Sequence, residues 1–178
     1  MTLNDIHTAA LAQLDRGHDP QTMEAYRRRL IFYANEAQND LARAIGFCRT
    51  DEVTPVNGIV RADSLPRVII KLKRAEQLGH AVRFTRGDTG EIALPYCEPA
   101  KLTYICEPKP LVLPQDVSEL PAQAHSLIVS YIVARERMSG DVSTQRGANV
   151  YLSMYEAGKA KLRPHFGDGE SYKIVNRY

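Results

Sequence analysis

The residues best able to ligate a metal or act as nucleophiles are five histidines (His7, His18, His80, His125, His165) and three cysteines (Cys48, Cys97, Cys106). Zinc chemistry needs such side chains in pairs a few residues apart, so that one turn or hairpin presents two ligands together. Here no two histidines lie within ten residues of each other, and there is no CxxC and no HExxH. No glycine-rich phosphate loop and no GxSxG elbow occurs either. Gly87-Asp-Thr-Gly90 contains the three letters that surround the catalytic acid of aspartic proteases. The same letters are turn chemistry, because glycine supplies positive φ and aspartate bonds its own backbone. The spacing therefore predicts no enzyme, no metal site and no cofactor. An odd number of cysteines without paired spacing predicts reduced thiols, with those in strands buried and inert.

Charge offers a second kind of chemistry, the docking of a partner. Arg27-Arg28-Arg29 is the most concentrated basic cluster, and it predicts contacts to acids of a neighbouring subunit, against a solvated face with snorkelling stems. Residues 61–86 carry Arg61, Arg67, Lys71, Lys73, Arg74, Arg83 and Arg86 against Asp63 and Glu76, whereas residues 87–120 hold six acids and two bases. Segments of opposite sign can meet across a subunit boundary, or can be two solvated faces. The net charge of +2 does not by itself argue for nucleic-acid binding. With no Trp, nine Tyr and four Phe, a base-stacking or sugar-binding platform is not indicated.

These residues are carried by 178 positions of ordinary globular composition, 44% hydrophobic and 25% charged, enough for a real core. Thr2 and Asp5 predict a capping box for a helix over residues 3–15 with Leu3, Ile6, Ala10 and Leu14 inward. Asp19 as N-cap, Pro20 at the first helical position and Gly46 as stop delimit a second helix of 20–45. Its stripe is Met23, Tyr26, Leu30, Tyr33, Ala37, Leu41 and Ala44. Residues 47–110 switch to strand texture, with Asn57-Gly58 as a hairpin turn and strands near 67–73, 81–86, 91–94 and 101–106, five or six in all. After Pro108, Pro110 and Pro114, a third helix carries Ala124, Leu127, Ile128, Tyr131, Ile132, Arg135 and Met138, and a fourth runs over 144–162 up to Pro164. The order predicts an α+β chain: an antiparallel bundle of about four helices (1–46 and 111–163), an inserted small antiparallel β module (47–110) and an extended C-terminal tail (164–178).

The tail lacks a period, yet Phe166, Tyr172, Lys173, Ile174, Val175 and Tyr178 are spaced through it. Aromatics are enriched at interfaces, so the tail is expected to be a docking arm whose Tyr172–Val175 adds as a strand to a partner or neighbour. The competing reading is a frayed terminus. The first residues have no basic stretch followed by an apolar one, and the longest apolar run, Leu127 to Ala134, is too short to span a bilayer. A soluble protein made in the cytoplasm is expected.

Four stretches, in order, resemble the head-to-tail connector (portal adaptor) proteins of tailed bacteriophages. They are AYRRRLIFYANEAQNDLARAI, ADSLPRVIIKLKRAE, GEIALPYCEPAKLTYICEPKPL and ELPAQAHSLIVSYIVARERMSGDVSTQRGANVYLSMYEAGKAKL. Together they span about residues 20–163, and it is their order and spacing that carry the likeness. The resemblance implies a structural virion protein of the neck, a ring typically of twelve copies docked under the portal. It further implies partners in the portal, the chain itself and tail or nozzle proteins, with DNA passing through the channel without sequence-specific binding. A wall dense in Lys and Arg would retain phosphates, so residues 61–86 are expected to face protein rather than the lumen. Alternative readings are another neck ring protein (head-closure or tail-terminator) or a DNA-binding module.

Overall fold

The computed structural model describes residues 1–17, 19–87, 89–139, 145 and 147–162. Two helices open the chain, α1 (Leu3–Gln13) and α2 (Pro20–Ile45). Three helix ends that the sequence marks are built as marked. The Thr2 hydroxyl accepts from the Asp5 amide at 3.1 Å while the Asp5 carboxylate accepts from the Thr2 amide at 2.9 Å. The Asp19 carboxylate accepts from the amides of Gln21 and Thr22, satisfying donors that the first turn cannot pair internally. Gly46 ends α2 at φ 64°, a left-handed conformation that costs glycine little.

Seven strands follow among the described residues, all paired antiparallel. One sheet has the order β1-β7-β3-β4, from β1 (Cys48–Val53), β7 (Ala100–Cys106), β3 (Ile69–Gln77) and β4 (His80–Val82). The second has the order β2-β6-β5, from β2 (Ile59–Arg61), β6 (Glu91–Ala93) and β5 (Thr85–Arg86). Asn57 and Gly58 take φ 53° and 75° in a turn closed by Val56 and Ile59, as the Asn-Gly pair requires. The expected single strand of 81–86 is divided: β4 pairs with β3 in one sheet and β5 with β6 in the other. The β region is thus larger than the small module expected, and it has an apolar cluster of its own around Leu72, Ile92, Leu102 and Tyr104.

Helices α3 (Ala122–Met138) and α4 (Ala148–Lys161) complete the chain. α3 packs against α1, α2 and α4, which is why it buries residues on most sides: Ala124, Ile128, Val129, Ile132 and Val133. Gly158 lets α4 approach closely, since a Cβ there would collide with the Leu127 side chain. The inward face of α2 differs from the expected stripe. Leu30, Ala37 and Leu41 are buried, Met23, Tyr26 and Tyr33 are half-buried, and Ala44 is exposed, while Ala34, Gln38, Ala42 and Ile45 are buried instead.

The second half of α2 also faces the strap of residues 107–121 that joins β7 to α3, and this widens its buried face. Asn35 donates to the Leu111 carbonyl and accepts from the Leu111 amide, both at 2.8 Å. Buried Gln38 donates to the Lys109 carbonyl at 2.9 Å and accepts from Ser118 Oγ at 2.8 Å. Two amide side chains thus satisfy part of the backbone of a proline-rich segment that otherwise pairs with the residues before and at the start of α1, including an isolated bridge between Thr2 and Val117. No helix among the described residues is long and apolar enough to cross a membrane.

Candidate functional site

The chemically capable residues are scattered. Among the described residues, no group of three His, Cys, Asp or Glu could hold a metal ion. His7 is buried in α1, and His80 is exposed at the β3–β4 turn. His125 is buried beside the strap, with Nε2 3.0 Å from the Leu120 carbonyl and Nδ1 3.1 Å from the Met1 amino group. Burial holds the His125 imidazole below its usual pKa, and the adjacent ammonium acts in the same direction. His18 and His165 lie outside the described residues. Cys106 is buried and its thiol is pushed up to about 11, chiefly by burial, which makes it a poor nucleophile. Cys48 donates to the Gly46 carbonyl, and Cys97 is exposed. The Gly87–Gly90 segment is a hairpin turn between β5 and β6, closed by the Gly87 amide on the Glu91 carbonyl at 2.8 Å. Asp88 itself lies outside the described residues.

The buried polar groups form locks rather than a cleft. The Tyr155 hydroxyl donates to Asp40 at 2.5 Å, and Lys159 Nζ donates to the same oxygen at 2.9 Å, tying α4 to α2. Partial burial alone would raise the Asp40 pKa, but the two donated hydrogen bonds and the charge of Lys159 outweigh it and hold the carboxyl below its usual range. Burial first, and then the carboxylate, raise the Tyr155 pKa. The ring of Tyr131, 4.9 Å from that of Tyr155, belongs to a hydroxyl pushed up to about 12, mainly by burial and next by Glu36. In the sheets, the Tyr104 hydroxyl donates to Asp51 at 2.5 Å, and Arg49 Nε reaches both Asp51 oxygens at 2.9 Å.

Asp40→Ala would leave the Tyr155 hydroxyl in the core without its acceptor, at an expected cost of about 1–3 kcal/mol. In a Tyr155→Phe background the same substitution is expected to cost clearly less, because the stranded donor is already gone. Urea unfolding of the four proteins measures the coupling. Equal costs in both backgrounds would show that the hydroxyl finds water instead.

The arginine cluster is largely used within the chain. Arg27 pairs with Glu24 at 3.3 Å. Arg29 pairs with Glu136 of α3 at 3.0 Å and lies over the Tyr26 ring at 4.9 Å. Arg28 is exposed. The basic segment 61–86 also finds acids in its own chain: Arg61 pairs with Asp63, Arg74 with Glu76, and Arg67 with Glu119 at 2.7 Å. This last contact joins the basic and acidic segments within one subunit. The expected arm residues Phe166, Tyr172, Lys173, Ile174, Val175 and Tyr178 lie outside the described residues.

Exposed apolar side chains on regular elements were not foreseen. Phe32 is 61% exposed on the outer side of α2, beside Arg28. It stands about 200° around the helix from Leu30, so a wheel drawn on the stripe would have singled it out. Val150 and Met154 are exposed on α4, and Val112 and Val117 on the strap. Such positions can bind a protein surface and perform no chemistry of their own. No protein-family model matches the chain, and no curated protein matches it.

Proposed function

We propose that the chain is a structural subunit of a tailed-phage neck, a head-to-tail connector that docks beneath the portal as a ring. In this reading the helices form an antiparallel bundle, the sheets an inserted module, and residues 164–178 an arm offered to the portal or to a neighbouring copy. The ring extends the DNA channel and gives the tail its platform. The observation that supports it best is the outer face of α2. This helix has 26 residues, about 39 Å at 1.5 Å per residue. It carries Phe32 in solvent within AYRRRLIFYANEAQNDLARAI, the first of the four stretches whose order and spacing resemble connector proteins. A large aromatic beside arginine, on a rigid helix, is the composition of an interface anchor. Repeating one such heterologous contact closes a ring when the rotation allows.

Electron microscopy of the subunit mixed with portal rings is expected to show an added ring of density. Phe32→Ala is expected to weaken ring formation by roughly tenfold or more, as loss of an interface anchor does, with the subunit still folded. Subunits that never join the portal but bind a finished tail would place the protein lower in the neck. Affinity for DNA with a steep salt dependence would favour the DNA-binding reading instead.

A further inference from the structure

One hollow among the described residues brings an unsatisfied polar group to apolar walls. It lies where the strap meets the start of α1 and the first turns of α2, and its volume is about 240 Å³. The strap is fixed there by its backbone. The Leu3 and Asn4 amides donate to the carbonyls of Asp116 and Pro114 at 2.8 and 2.9 Å, and the Asp116 carboxylate accepts from the Val112 and Leu113 amides, both at 2.8 Å. Leu3, Pro20, Met23, Val112 and Pro114 supply the apolar wall. His7 completes it, with Nε2 buried and without a hydrogen-bond partner. An unpaired buried nitrogen costs the fold free energy, and a ligand that satisfies it recovers that energy as affinity.

Charge narrows the class of ligand. Glu24 and Arg27 on the rim pair with each other at 3.3 Å. His7 is neutral at pH 7, because burial and the charge of Arg27 lower its pKa to about 4. The hollow therefore offers no net charge to a phosphate, a carboxylate or an ammonium group. It suits a neutral body with one polar group, and a hydroxyl fits best, since it both donates and accepts and so satisfies Nε2 in either tautomer. An aromatic ring fits the walls: an apolar cavity of about 150 Å³ already holds benzene, and the Met23 thioether makes favourable contacts with ring edges. Nε2 is sealed from water at rest, so entry of the ligand moves the rim. Glu24 and Arg27, with side chains 73% and 42% exposed, yield easily, because an exposed ion pair holds its partners weakly.

We propose that this hollow binds a neutral phenol, with the ring against Met23 and Val112 and the hydroxyl on His7 Nε2. The phenol is a free small molecule or the side chain of a tyrosine from a second copy. Tyr96, in the connection between β6 and β7, is 50% exposed and can serve as that side chain. The site is built from α1, α2 and the strap alone, and it does not rest on the ring.

The probe is para-cresol, the tyrosine side chain as a free molecule, added to the full-length protein at pH 7. The His7 ring nitrogens and the Met23 methyl, both isotope-labelled, report its binding by magnetic resonance. Both are expected to shift saturably, with a Kd of about 1 mM or tighter. Toluene has the same shape without the hydroxyl and should bind roughly tenfold or more weakly, since it leaves Nε2 unpaired. Benzoate should not bind. His7→Leu should erase the preference for cresol over toluene, read at the Met23 methyl. Val112→Asp, at a position 57% exposed and so harmless to folding, should weaken cresol roughly fivefold by placing a charge in the apolar wall. The source of the phenol shows in the protein alone. With a free ligand, the His7 resonances do not depend on protein concentration. With a second copy, they drift toward the cresol-bound position as concentration rises, and Tyr96→Phe abolishes the drift. His7 nitrogens that ignore cresol, toluene that binds as tightly, or a His7→Leu protein that keeps the preference would each overturn the proposal. The toluene comparison needs no variant, so it decides the matter even where His7→Leu does not fold.

Discussion

Leu30→Ala is expected to lower the unfolding free energy by about 2–5 kcal/mol, the range for deleting three heavy atoms from a site that cannot collapse around the void. Leu30 has no exposed surface and belongs to one apolar cluster with Ile6, Leu11, Ile128, Val129 and Ile132, drawn from α1 and α3. Three helices therefore border the cavity, and none can move inward without disturbing the others. For a chain of this size the melting temperature should fall by roughly 2–4 °C for each kcal/mol lost. Phe32, two residues further on, is the internal control. It is 61% exposed, so Phe32→Ala should change stability by no more than about 0.5 kcal/mol. A stable Leu30→Ala protein would mean that the helices are held by something other than this cluster. A strongly destabilised Phe32→Ala protein would mean that the face assigned to a partner is needed for folding.

The contrast between those two residues shows what the sequence could reveal. The ends of α2 were legible because capping is local: Asp19, Pro20 and Gly46 act on backbone groups within a turn of themselves. The Asn57-Gly58 turn was legible for the same reason. The hairpin between β3 and β4 was not, because its turn is Leu78-Gly79, with Leu78 at φ 53°. Leucine gives no turn signal, and the pairing of Gln77 with His80 imposes that conformation from outside. The division of 81–86 between two sheets is likewise a tertiary choice that local alternation cannot encode.

The buried face of α2 was half legible. A regular stripe predicts packing against one neighbour, whereas Gln38 and Asn35 turn inward to serve the strap, some seventy residues away in sequence. A polar residue off the stripe reads as solvated until its partner is known. The same limit applies to charge. Arg67 and Glu119 lie in segments of opposite sign that suggested two subunits, and they meet inside one. The connector reading rests on the resemblance together with the exposed Phe32, and the portal experiment bears on it directly.

Acid should destabilise the fold well before its carboxylates titrate, through His7. This histidine is 6% exposed in α1, and its Nε2 is buried without a hydrogen-bond partner. Burial is the larger cause, and the positive charge of Arg27 on α2 the second, of a pKa lowered to about 4 from 6.5. Glu24, paired with Arg27, lines the same shallow hollow. Between those two values the unfolded chain binds a proton that the folded chain excludes, so stability falls as pH falls through that window and is fully present above it. Each pK unit is worth about 1.4 kcal/mol, so the loss between pH 7 and pH 4 approaches roughly 3 kcal/mol from this one group. His125, also lowered by burial, adds to the slope in the same direction. His7→Leu replaces an unsatisfied ring nitrogen with apolar atoms of similar volume, a change expected to be near neutral at pH 7. Urea unfolding at pH 7 and pH 4.5 should therefore show a large drop for the parent protein and a much smaller one for His7→Leu. Identical drops would mean that His7 takes up its proton in the folded state, with the helix ends opening to let water reach it.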